Sequence, residues 1–227
     1  MAHIDTLLRL DRRDLEFIWL LTAGWDQVGL HSTTPLSRRL FLVDTGVDED
    51  LVLAFRIGAA AAGFHVLDVP ASILAAPASI LERIGSVADG IALADRTGAF
   101  DFLHGQGAVP VVTVEEARGA PVHVLGHLYR WFVTGKPMRG LRVVWQDSPQ
   151  PALRSWCEAT AVVPLDVTHV GETDYVDGEN LHAVRRAGQQ GTFRRLRTVP
   201  DHDVTASQPL GVRTLACTFA ALLEHAL

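Results

Sequence analysis

Lysine is almost missing from this 227-residue sequence: of twenty basic residues only Lys136 is a lysine, and the arginine surplus reads as compositional bias. Cysteine is scarce too. Cys157 and Cys217 lie far apart, which suits buried free thiols in a reducing compartment better than a disulfide framework or a zinc site. No apolar run approaches the roughly 20 residues that span a bilayer. Asp5, Asp11 and Asp14 interrupt the amino terminus, which lacks the basic-then-apolar layout of a secretion signal. There is no Lys/Arg block, and the net charge is −6. A nucleic acid or a membrane surface calls for a basic face, so neither is expected as a partner; a cytoplasmic protein handling a small molecule is. Nucleophile-elbow, dinucleotide and phosphate-loop spacings are also missing, since "GQGAVP" and "GAAAAG" fail them. Neither a cofactor nor a metal is predicted.

What the chain does have is core material. With 48% hydrophobic residues it can bury one large core or two small ones. Asp11 is placed to cap an opening amphipathic helix over Arg12 to Trp25. After it, short apolar runs alternate with helix-period segments. The strand candidates are Leu40–Val43, His65–Leu67, Ile91–Ala94, Val109–Val112, Leu141–Trp145, Leu165–Val170 and Phe193–Val199. Helix candidates fall near Glu49–Ala62, Ser79–Val87, Gly98–Gly105, Ala120–Val133, Ala152–Val163, Asn180–Gln190 and Gly211–Ala226. Alternation of this kind predicts an α/β fold with parallel sheets and right-handed crossovers. The segment "TGKPMRG" (Thr134 to Gly140) divides four strands from three, giving lobes over 1–135 and 136–210 and a terminal helix over 211–227 that returns to the first lobe. A cleft between two lobes is a favoured place for a small molecule.

Ligands of open parallel sheets bind beyond the carboxyl ends of the strands. Four candidate strands stop at aspartate: Asp44, Asp68, Asp95 and Asp147. Any one of these is accounted for by turn and capping preferences. Taken with Asp48, Glu49 and Asp50 after the Thr45–Gly46 turn, they predict an electronegative cleft that favours a cationic or amine-bearing ligand. Acids in the first turn of a helix complement its dipole. They also repel a phosphate: one carboxylate about 4 Å away costs on the order of 4 kcal/mol at an effective dielectric near 20, roughly a thousandfold in affinity.

Several longer segments resemble the aspartate/ornithine carbamoyltransferase family. "LAFRIGAAAAGFHVLDVPAS" resembles its helix after the phosphate loop and the next strand, and "SVADGIALADR" with "GAVPVV" the two strands that follow. Ala120 to Gly171 resembles the bridging helix and the start of the second lobe, and "LGVRTLACTFAALLEHAL" the returning terminal helix. The resemblance implies two Rossmann-like parallel-sheet lobes, one for carbamoyl phosphate and one for an amino acid, joined by two interdomain helices. It also implies a homotrimer and a role in amino-acid biosynthesis. The functional motifs depart from that pattern. The family's Ser-Thr-Arg-Thr falls on Asp48, Glu49, Asp50 and Leu51, and its His-Pro-x-Gln on Ala120, Pro121, Val122 and His123. An expected arginine reads Ala94, with Arg96 two residues on, and the His-Cys-Leu-Pro of the ornithine branch reads Arg197, Thr198, Val199 and Pro200. The second lobe is also shortened between Gly171 and Phe193.

The candidate site follows from these positions. His123 and Asp95 are the catalytic candidates, His123 as acid/base because an imidazole in general suits proton transfer near neutral pH; the alternative is a histidine hydrogen-bonded at a lobe interface. Asp48, Glu49, Asp50, Arg96, Trp145, Asp147, His127, Arg197 and His202 are the binding candidates. His123 and His127 share a helix face, but "HVLGH" has no third metal ligand. In "PDHDVT" a carboxylate from Asp201 or Asp203 can orient His202, and the same letters make an ordinary turn. Trp145 either faces ligand or packs in the core. Three functions stay open: a repurposed enzyme for a small amine- or guanidine-bearing, amino-acid-like substrate, a non-catalytic homologue that binds a metabolite or an active partner enzyme, and an active carbamoyltransferase completed by a neighbouring subunit.

Overall fold

A computed structural model describes residues 6–31, 37–70, 72, 87–95, 110–116, 119–146, 151–171, 178–206 and 209–227. A 3-10 turn, Leu7–Arg9, precedes helix α1, Arg12–Val28. Asp11 caps α1 as expected, accepting the N–H groups of Arg13 and Asp14, while Asp14 returns a carboxylate to the Asp11 N–H. Leu15, Ile18, Trp19 and Thr22 recur at helical spacing and form the buried stripe.

The first sheet holds β1 (Arg38–Asp44), β2 (Phe64–Val69), β3 (Gly90–Asp95) and β4 (Val111–Glu116), in the order β2-β1-β3-β4 and all parallel. Every residue of β3 is buried, as the unbroken apolar "IALA" requires of a strand covered on both faces. Helix α2, Glu49–Ala61, connects β1 to β2. The chain reverses direction across the sheet between β1 and β3, and such a switch point is where α/β folds open a crevice.

Helix α3, Pro121–Val133, leads to the second sheet, which holds β5 (Arg142–Trp145), β6 (Asp166–Val170), β7 (Thr192–Leu196) and β8 (Val204–Thr205). Its order is β7-β6-β5-β8, again all parallel. Helices α4 (Pro151–Val162) and α5 (Gly178–Arg186) connect these strands, and α6 (Val212–Ala226) packs back along α1 and α2. The architecture is two parallel-sheet lobes, as the sequence implies.

Three details differ from the expectation. β4 runs through Glu116, four residues beyond the predicted end at Val112, so its last two residues are acidic. "PDHDVT", which offered either a carboxylate-oriented His202 or a polar turn, ends in the fourth strand of the second sheet, β8. Helix α5 stops at Arg186, short of Gln190, with Gly188 in the left-handed region behind it. The helix candidates Ser79–Val87 and Gly98–Gly105 lie outside the described residues, except for Val87, which sits in a turn. Neither Cys157 nor Cys217 is in a disulfide, and both are buried. Among the described residues no helix is long and apolar enough to cross a membrane.

Candidate functional site

The crevice between β1 and β3 is lined by groups that hold each other. Asp44 ends β1, and its carboxylate accepts the backbone N–H groups of Gly46 (2.8 Å) and Val47 (3.3 Å). This turn needs φ = +95° at Gly46, a conformation suited to glycine. Asp48 then caps α2, its carboxylate accepting the N–H groups of Asp50 (2.9 Å) and Leu51 (3.3 Å). A phosphate at a helix start binds those free amides. Here the chain's own carboxylates occupy them. Glu49 and Asp50, both exposed, add negative charge to the same turn.

Beside this turn the strand ends bring acids together. Thr45 fastens β1 to β3: its N–H donates to the Ala94 carbonyl (2.9 Å) and its hydroxyl to Asp95 Oδ1 (2.9 Å). Asp95 is fully buried. Between β3 and β4 the register slips after Leu93, so that Leu93 faces Thr113 and Ala94 faces Glu115. A bulge of this kind re-aims a side chain at a strand end. Glu115, 6% exposed, comes to lie with Oε2 3.8 Å from Nε2 of His123 in the first turn of α3. Pro121 opens that helix at N1. The Ala120 N–H donates to Ser155 Oγ (3.0 Å), tying the start of α3 to α4 of the second lobe.

The matching rim of the second sheet carries a row of three large residues. Trp145 of β5 pairs in register with His169 of β6, which pairs with Arg195 of β7. Trp145 is buried, and its indole N–H has no hydrogen-bond partner among the described residues. Arg195 Nε donates to the Gly171 carbonyl (2.9 Å), and Arg197 stands exposed just beyond the end of β7. Acids therefore collect on the first lobe and guanidinium groups on the second.

No family model matches the sequence, and no curated protein matches it. Solved structures do match in three dimensions. Ornithine carbamoyltransferase from Campylobacter jejuni superposes with a TM-score of 0.75 at 15% identity, over 90% of this chain and 72% of the other. The enzyme from Gloeobacter violaceus does so with a TM-score of 0.74 at 13% identity, over 100% and 98%. An N-acetyl-L-ornithine transcarbamylase variant complexed with carbamyl phosphate and N-succinyl-L-norvaline gives 0.69 at 17%, over 87% and 71%. The chain has the carbamoyltransferase fold.

Within the carbamoyltransferase fold the expected site residues divide. Asp48, Glu49, Asp50 and Asp95 lie at the carboxyl ends of β1 and β3, where Thr45 holds Asp95, and His123 lies beside Glu115 where α3 packs on β4 and is tied to Ser155; Thr45, Glu115 and Ser155 were not among the predicted site residues. Glu115 was hidden because the strand was expected to stop at Val112; the alternation continuing through "VTVEE" was the available signal. Trp145 lies on the second lobe's rim within the hydrophobic core, and Arg197 lies beyond β7. Arg96 and Asp147 lie outside the described residues.

Two histidines sit away from that rim. His127 is buried between the rings of Trp131 (5.7 Å) and Trp156 (5.9 Å). Burial first, then His123 and Arg130, push its pKa down to about 3, so it is neutral. The carboxylates beside His202 do not orient it, contrary to expectation. Asp201 and Asp203 both turn to Arg142, at 2.9 and 2.8 Å, because a guanidinium fork takes two carboxylates better than an imidazole does. His202 lies instead with Nδ1 3.0 Å from the Pro200 carbonyl and Nε2 3.2 Å from Thr205 Oγ1. Arg142 and Val204 begin their strands, so this cluster is on the amino-terminal edge of the second sheet, opposite Trp145.

Proposed function

We propose that the protein is a carbamoyltransferase-fold enzyme that acts on a small amine- or guanidine-bearing, amino-acid-like substrate in the cleft between the lobes, and that it no longer uses carbamoyl phosphate. The observation that carries this reading is the capping of the α2 turn: Asp44 and Asp48 hold four backbone N–H groups that an anion would need. Carbamoyl phosphate would have to displace a carboxylate and then lie among three others. Repulsion of about 4 kcal/mol per close pair decides against that exchange.

The same charges suit a cation. Asp95 and Glu115 are buried beside the crevice, where a carboxylate attracts an ammonium more strongly than it does in bulk water. His123, next to Glu115, is placed to move a proton at the substrate's nitrogen. Arg197, past the end of β7, supplies the positive charge that a substrate carboxylate seeks. An amino acid with its amine toward the first lobe and its carboxylate toward the second meets both.

Thermal-shift measurements with ornithine, arginine, putrescine, aspartate, inorganic phosphate and carbamoyl phosphate test the proposal. A ligand at a hundred times its dissociation constant adds about 2.7 kcal/mol to stability, well within detection. Stabilisation by an amine or guanidine compound, lost in Glu115→Gln, is expected. Stabilisation by carbamoyl phosphate and by none of the amines would overturn it.

A further inference from the structure

Away from that rim, a cavity of about 330 Å3 opens between the second half of α3 and the start of β8. His127, Arg130 and Trp131 line it from α3, Lys136 from the connection that follows, and Asp203 and Thr205 from the opposite wall. It lies toward the amino-terminal edge of the second sheet, whereas the acids described above sit at the carboxyl-terminal edge of the first.

The lining combines three chemistries. His127 is 4% exposed and makes no hydrogen bond among the described residues; its only contacts of note are the Trp131 and Trp156 rings. A neutral imidazole offers one N–H donor and one bare nitrogen, both costly to leave unmatched in a buried place. Trp131 supplies an aromatic wall. At the mouth, among the described residues, Arg130 has no ion pair and Lys136 Nζ donates only to the Asp203 carbonyl oxygen (3.3 Å). The one carboxylate of the lining is already taken. Asp203 accepts the Arg142 backbone N–H (2.9 Å), its Nε (3.3 Å) and an Nη2 (2.8 Å). Two positive charges are therefore left facing the opening of a chain whose net charge is −6.

We propose that this cavity is a second binding site, for a small organic carboxylate no larger than one substituted ring. The volume lies near the lower end of the range for small-molecule pockets, which sets the size limit. The carboxylate would lie between Arg130 and Lys136, the ring or planar body against Trp131, and a polar substituent within reach of the His127 nitrogens. An inorganic anion satisfies the two cations alone and leaves the aromatic wall and the imidazole unmatched.

Because Lys136 is the only lysine, reductive methylation with 13C-formaldehyde keeps its positive charge and gives one side-chain NMR signal apart from that of the terminal amine. Titration with benzoate is expected to move the Lys136 signal to saturation, and benzamide, of the same shape without the charge, to leave it in place. Arg130→Gln, at an exposed position, should weaken the benzoate response about tenfold, the loss of one hydrogen bond to a charged group. No saturable movement with benzoate would overturn the proposal. So would an equal response to benzamide, or a response to sulfate matching that to benzoate, which would reduce the site to general attraction of anions.

Discussion

Asp48 and Leu51 are locked together at the start of α2. The Leu51 N–H is shared between the Asp48 side chain (3.3 Å) and the Asp48 carbonyl (3.1 Å). Removing this cap should cost about 1 kcal/mol in Asp48→Ala. Asp48→Ser keeps a capping oxygen and drops the charge. Inorganic phosphate is therefore expected to leave both melting temperatures unchanged, because the serine still occupies the amides and Asp44, Glu49 and Asp50 still repel it. A wild-type protein stabilised by phosphate would show that the turn already accepts anions.

Glu115 is the acid most directly placed beside His123. Glu115→Gln preserves shape and removes charge, so calorimetric affinity for an amine ligand should fall by about tenfold to a hundredfold, as expected for a lost charged hydrogen bond. His123→Asn should change that affinity only a few-fold, because the imidazole faces the acid and does not itself hold the cation. Equal losses in the two variants would assign binding to the histidine.

The Arg142 fork predicts an acid limb to the stability curve. Hydrogen bonds from Arg142 hold the Asp203 carboxyl down to about 2, from an ordinary value of 3.8. A carboxyl depressed in the folded state lends stability above its unfolded pKa and loses it as pH falls toward the folded one. In urea unfolding, the advantage of wild type over Asp203→Asn should be constant above about pH 5 and shrink between about pH 4 and 2.

An alkaline limb should appear as well. Burial, and then Asp26, raise the Tyr129 hydroxyl from 10.0 to about 12 and the Cys217 thiol from 9.0 to about 11. Both groups keep their protons longer when folded, so their contribution is complete below the unfolded values and is lost as pH climbs through the folded ones. Tyr129→Phe should flatten the stability curve between pH 10 and 12 and cost about 1 kcal/mol at neutral pH, because the Tyr129 hydroxyl donates to Asp26 (3.1 Å). Cys217→Ala should flatten it between pH 9 and 11.

At Gly58 the backbones of α2 and α6 pack tightly together. A Cβ there would strike the Ala216 carbonyl oxygen and come within 2.9 Å of Phe219 Cβ and 3.0 Å of the Ala220 nitrogen. Overpacking of backbone on backbone costs about 3 kcal/mol, against which alanine returns about 1 kcal/mol of helix propensity. Gly58→Ala should therefore destabilise by roughly 2 kcal/mol. Gly24→Ala, in α1 with open space around it, should stabilise by up to about 1 kcal/mol. Denaturant midpoints of the two variants should move in opposite directions.

The inner strands β3 and β5 were legible because strands buried on both faces are apolar, as "IALA" and "VVW" are, whereas the edge strands β2 and β7 keep partly exposed residues and a weaker pattern. The acidic end of β4 was not legible, because burying Glu115 depends on a bulge against β3 and on α3 arriving from elsewhere in the chain. β8 has two residues, too few to show any period, and its place is set by the hydrogen bonds of Asp203 and Ala206 to β5. The Asp48 cap was visible in the letters around it. For His127, helical spacing gave the shared face with His123, but the Trp156 ring that encloses it comes from α4, which no local pattern reveals.

The return of α6 to α1 and α2 bears on how the chain is made. The amino-terminal lobe cannot finish its core until everything between Ala61 and Val212 has left the ribosome, including the whole second sheet. A lobe held open through that interval exposes the apolar faces of α1 and α2 to whatever is nearby. The second lobe, whose helices α4 and α5 follow its strands closely, has no such wait. Assembly should thus proceed from the middle of the chain outward, and a nascent polypeptide stalled before Val212 should be sensitive to protease in its oldest segment.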